Sequence, residues 1–178
     1  MSQFDRQARF QATLLPYLDD AMNLACWLSG NRTDAEDIVQ EAFLRAFRYF
    51  DRFDGSAARP WLLAIVRNSC FTWLSRNRSK QLVFVDDARL AAEADASPQD
   101  NALPSPEMDL QRRQSAAALD RAVAALQPEF REVILLREIQ GLSYKEIATV
   151  IDAPIGTVMS RLARARKLLQ GSLKELAA

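Results

Sequence analysis

Four cations, Arg161, Arg164, Arg166 and Lys167, fall between Val158 and Leu168 with no acid among them. On a helix, Thr157, Ser160, Arg161 and Arg164 share one face, at offsets of three, four and seven. Val158, Leu162, Ala165 and Leu169 share another, which is apolar. Hydroxyl and guanidinium groups on one helix face suit the phosphates and base edges of a DNA major groove. A solvated amphipathic helix fits the same pattern. Arg67, Arg76, Arg78 and Lys80 form a second run without an intervening acid, which suits phosphates as well. A third cluster has the opposite sign. Asp37, Gln40 and Glu41 lie on a helix face opposite Ile38, Phe43 and Ala46, where they can pair with a basic partner or stand in water.

Other chemistries lack their residues. The chain has no histidine and two cysteines, Cys26 and Cys70, far apart in sequence. The usual general base, the nucleophile triads and zinc-ligand spacing are therefore missing. No phosphate loop is present either. We expect no catalytic residue, no metal and no cofactor, and read the cysteines as small buried hydrophobes in a reducing compartment. The longest uncharged apolar stretch, residues 21–30, is far too short to cross a bilayer, and the start has no signal-peptide core, so we expect a cytoplasmic protein without membrane insertion.

The elements that must position these groups are helical. Of 178 residues, 49% are apolar, enough for packed cores. The formal net charge is zero, but the cations are segregated, so the net figure does not exclude nucleic acid. Helical periodicity holds over residues 4–82 and again from 110 to the end. Between them, residues 86–109 carry Pro98, Pro104, Pro106 and seven acids against Arg89 alone, the composition of a linker. Thr33 with Glu36, and Ser143 with Glu146, fit capping boxes. Asp54-Gly55-Ser56 reads as a break, and Pro60 suits the first turn of the following helix. Pro128 opens a helix through Arg137 that Gly141 ends. Ile147, Ala148 and Ile151 point inward on a helix that stops at Asp152-Ala153-Pro154, where a second begins: helix-turn-helix spacing. The only strand-like run is 82–85. The fold class is all-α: an N-terminal helical domain (1–85), an acidic flexible linker (86–109) and a C-terminal helix-turn-helix domain (110–178).

At this level of detail a family resemblance becomes specific. Leu142-Ser143-Tyr144, Glu146-Ile147-Ala148, Pro154-Ile155-Gly156-Thr157-Val158, Ser160-Arg161-Leu162 and Arg164-Ala165-Arg166 resemble the C-terminal, −35-reading domain of bacterial sigma factors. Leu126-Gln127-Pro128, Phe130-Arg131 and Val133-Ile134-Leu135-Leu136-Arg137 match its opening helices. Residues 34–46 are similar to the helix with which these factors bind the clamp of RNA polymerase. Phe53-Asp54-Gly55, Trp61-Leu62 and Ile65-Val66-Arg67-Asn68 resemble the −10 segment. The short chain has no room for the extra regions of primary sigma factors, which points to the extracytoplasmic-function group. Two features depart from the family pattern: a short Gly55–Trp61 loop with Pro60 in it, and Met159 and Ala163 where Arg and an aromatic are usual.

The resemblance implies roles. Asp37, Gln40, Glu41 and Arg45 would bind core RNA polymerase. Phe53 and Asn68 match positions that capture an unstacked −10 base, with Trp61, Arg67, Arg76 and Arg78 beside them. Thr157, Met159, Ser160, Arg161, Arg164 and Arg166 would engage −35 DNA. The partners implied are core polymerase, promoter DNA and an anti-sigma factor, with no small-molecule substrate, in a stress or environmental response. A free-standing helix-turn-helix regulator is the alternative reading. Such proteins usually add a sensing or dimerising domain, and no segment here reads as one.

Overall fold

A computed structural model describes residues 3–77 and 106–177, and every regular element within them is helical. Helices α1 (Gln3–Leu14), α2 (Leu18–Ser29), α3 (Arg32–Tyr49) and α4 (Ala58–Asn77) form one lobe. Helices α5 (Pro106–Ala124), α6 (Pro128–Ile134), α7 (Tyr144–Ile151) and α8 (Ile155–Ala177) form the other. Most of the expected linker, the 82–85 run, Arg78 and Lys80 lie outside the described residues. Helix α5 starts at Pro106, inside the last four residues of the stretch read as linker. Proline suits that first position because the amide it lacks would have no helical partner there.

Periodicity explains the first core. Leu24, Ala25 and Leu28 of α2, Ile38, Ala42 and Ala46 of α3, and Leu62, Val66 and Cys70 of α4 are all buried. Five alanines on α2 and α3 with no exposure (Ala21, Ala25, Ala35, Ala42 and Ala46) put no side chain beyond Cβ between the helices. Phe10 of α1 meets Phe43, Phe47 and Phe50 edge-on, at centroid distances of 6.2, 5.1 and 5.2 Å, the geometry that aligns ring edges with ring faces.

The helix ends agree with the sequence at some points and differ at others. Asp54 Oδ1 accepts from the Ser56 amide and hydroxyl, and Gly55 has φ +85°, so the expected break after α3 is present. The Ser143–Glu146 capping box is complete, each partner accepting from the other's backbone amide. At α3 the cap differs from expectation. Gly30, at φ +85°, ends α2 and leaves Asn31 extended, and Asn31 Oδ1 accepts from the Asp34 amide at 2.8 Å. Thr33 is already inside the helix, so the first polar residue after the glycine takes the cap. Helix α6 also stops early, at Ile134. A wide turn over Leu135–Ile139 follows, with the Gln140 amide donating back to the Leu135 carbonyl at 3.0 Å. Gly141, at φ +66°, then closes the corner as expected.

Phe130, Val133, Ile147, Ile151, Val158, Leu162 and Ala165 continue the same buried apolar cluster into the second lobe. The lobes share a face, α4 packing on α7 and α2 on α6. Gln140 Nε2 donates to the Asp20 carbonyl at 2.7 Å, and Arg131 Nη1 to the Trp27 carbonyl at 3.4 Å, both across that face.

Candidate nucleic-acid interface

Helices α7 and α8 make the turn that the spacing implied. Asp152 takes the left-handed conformation (φ 52°, ψ 55°), which a short polar side chain tolerates, and reverses the chain. The Pro154 carbonyl then accepts from the Thr157 and Val158 amides and opens α8. With Val158, Leu162 and Ala165 buried, the rest of α8 has no choice of side. Met159, Ser160, Arg164 and Arg166 are exposed, and Thr157 and Arg161 are half-buried. Ser160 Oγ donates to the Thr157 carbonyl at 3.0 Å. Arg164 stands 5.6 Å from the centroid of the Phe130 ring, and Arg166 pairs with Glu138 at 2.7 Å.

Helix α3 buries Ile38, Val39, Ala42 and Ala46 and exposes Asp37, Gln40 and Glu41. Arg45, half-buried, pairs with Glu41 at 2.5 Å, one helical turn away. The acid and amide groups therefore do share an outward face.

The −10 candidates are more dispersed. Asn68 is exposed on α4 and Arg76 is exposed in its last turn. Phe53 is only 7% exposed, stacked on Phe50 at 6.0 Å and tilted against Trp61 at 5.0 Å. Its ring belongs to the core in this arrangement, and so does one side of Trp61. Arg67 points across the lobe boundary. Its Nε and Nη2 donate to Glu132 Oε2 and Oε1, at 2.7 and 3.1 Å, and its guanidinium lies 4.4 Å from the Phe71 centroid. Arg161 reaches the same Oε1 at 3.4 Å. Glu132 itself is wholly buried. Burial pushes its carboxyl above the usual carboxylate range, and the Arg67 hydrogen bond and the two guanidinium charges pull the other way without cancelling it.

Two family models cover most of this architecture: sigma-70 region 2 matches residues 14–80 and sigma-70 region 4 matches residues 116–169. The RNA polymerase sigma-H factor of Pseudomonas aeruginosa is 34% identical over 176 residues, spanning 97% of this chain and 89% of that one. The chain belongs to the extracytoplasmic-function sigma factors. The SigE factor of this type from Mycolicibacterium smegmatis is 35% identical over 88% of the chain, which spans 58% of SigE's own length. Among solved structures, the sigma factor RpoE of Bartonella quintana, in complex with the anti-sigma factor NepR, superposes with a TM-score of 0.68. It is 32% identical, over 93% of this chain and 97% of that one.

Sequence reasoning about this sigma factor missed Glu132. In α6 the apolar Phe130, Val133 and Ile134 announce one buried side, and Glu132 falls on another. An acid there reads as solvated unless a second body covers it, and periodicity within one helix carries no sign of that body. The one available signal was chemical: Glu132 sits in a run that is otherwise apolar or basic from Phe130 to Arg137.

Proposed function

We propose that this sigma factor, as a subunit of RNA polymerase, selects promoters and opens them, and that it is not an enzyme by itself. Region 2 supplies two surfaces. Asp37, Gln40, Glu41 and Arg45 dock on the polymerase clamp. Asn68, Arg67, Arg76 and Arg78, with Phe53 and Trp61, meet the −10 element. Region 4 supplies the third, in which Thr157, Met159, Ser160, Arg161, Arg164 and Arg166 meet the −35 duplex. The stretch between them, cut back to residues 86–105 by the start of α5, acts as the tether. The observation that carries this reading is the order of region 2 and region 4 in one chain, with an acidic outward face on α3 and a cationic one on α8.

An anti-sigma factor is the expected regulator, since the similar RpoE of Bartonella quintana was solved with NepR. We place the protein in the cytoplasm, where polymerase and chromosome are, in a stress or environmental response.

The test is reconstituted transcription. Core polymerase with the full chain should initiate from a supercoiled template carrying cognate promoters, and core polymerase alone should not. Arg164→Ala should cost about 1–3 kcal/mol of −35 discrimination if it reads a base edge. A chain that binds promoter duplex tightly without polymerase, and supports no initiation with it, would instead be a free-standing regulator.

A further inference from the structure

A carboxylate with no exposure sits between the two lobes of this protein and is shared by one cation from each. Arg67 of α4 forks Glu132 with two donors at 2.7 and 3.1 Å, and Arg161 of α8 approaches from the other side at 3.4 Å. The third nitrogen of Arg67, Nη1, donates to Asn68 Oδ1 at 3.2 Å, and its flat face covers Phe71. A guanidinium fork fits a carboxylate and a phosphate with the same two-point geometry. Arg67 thus has no edge left with which to fork a phosphate, and Asn68 is drawn into the same cluster. Arg161 has one arm engaged and keeps 31% of its side chain exposed. Each lobe therefore has a DNA-facing cation turned inward, onto the same acid.

We propose that Glu132 is an internal substitute for DNA phosphate, holding Arg67 across the lobe boundary in a closed arrangement that must open before α4 grips DNA. The inference rests on the reading that Arg67 faces promoter DNA. Three features of the geometry support an exchangeable hold over a permanent one. Desolvating an acid costs much of what its pairing returns, so a buried ion pair fixes register more than it adds stability. Among the described residues, the other polar links across the lobes, from Gln140 and Arg131, end on backbone carbonyls and involve no DNA-facing group. Because Arg161 shares the second lobe with Glu132, separating the lobes releases Arg67 while the acid keeps one partner.

The test uses the full chain without polymerase, scattering for the radius of gyration, and a labelled random-sequence duplex for affinity. Glu132→Gln keeps the side-chain shape and removes the charge. It should enlarge the radius of gyration and tighten duplex binding about tenfold, as expected if the open fraction rises from about a tenth to nearly all. Glu129→Gln, which removes an equal charge from an exposed position on the same helix, should do neither. Equal effects from the two variants, or a tighter-binding Glu132→Gln chain that stays compact, would overturn the latch and leave only a general charge effect. A chain that expands without binding more tightly would also overturn it, and would place the failure in the assignment of Arg67 to DNA. If Glu132→Gln does not fold, the unmodified chain decides. With duplex bound and matched out in neutron scattering, its radius of gyration must rise, and an unchanged value contradicts the proposal.

Discussion

Cys70 lies at the centre of α4 with no exposure, and burial pushes its thiol up to about 12 from an ordinary value near 9.0. A thiol held protonated is a poor nucleophile, which fits the reading of Cys70 as a small hydrophobe. Cys26 is half-buried, and burial raises its thiol too. The Cys70 shift has a consequence for stability. Below pH 9 both the folded and the unfolded chain hold this proton, and the contribution is fully present. Between about pH 9 and 12 the unfolded chain releases it first, so stability falls by up to about 1.4 kcal/mol per pH unit. Urea unfolding of Cys70→Val, a swap of similar volume, should therefore show a flatter decline above about pH 9 than the native chain. Parallel declines would contradict the burial argument. Residues were legible from sequence where one helix face decides their fate, as for Val158, Leu162 and Ala165 inside and Ser160 and Arg164 outside. They were illegible where a neighbour decides it. Phe53 matched a base-capturing position, yet its ring fills a gap between Phe50 and Trp61 that only the folded lobe creates.

Helix ends were legible when the capping chemistry was unambiguous. Ser143 and Glu146 stand alone ahead of an apolar run, and the reciprocal box they announce is present in full. Around the start of α3 there were several polar residues to choose from, Asn31, Thr33 and Asp34 among them. The choice fell to Asn31 because Gly30 takes positive φ and sets the next residue extended. That assignment separates two substitutions. Asn31→Ala should lower unfolding free energy by about 1 kcal/mol, the usual worth of a cap. Thr33→Ala, within the first turn and exposed, should change it by less than about 0.5 kcal/mol. The reverse order in urea titrations would restore the Thr33 cap. Other ends depended on packing more than on chemistry. The wide turn over Leu135–Ile139 carries two buried leucines, Leu135 and Leu136, into the Gly141 corner, and no periodicity written for a regular helix anticipates it.

At the scale of the whole molecule, the sequence shows two helical bodies and their order, because periodicity lapses between them. It is silent on how they meet. The shared face joins α4 to α7 and α2 to α6, elements separated by scores of residues, and its polar links end on backbone carbonyls and one acid with no pattern of their own. The outward face of α3 lies on the lobe's surface, and the proposed docking on polymerase runs through it. The most direct measurement is equilibrium binding of the full chain to core RNA polymerase, with a double variant, Asp37→Lys with Glu41→Lys, beside it. Both positions are exposed, so the variant should keep its helical content. The native chain should bind core polymerase, and the reversed charges should weaken that binding about thirtyfold, the equivalent of about 2 kcal/mol. A native chain with no affinity for core polymerase, or a variant that binds it equally well, would contradict the account.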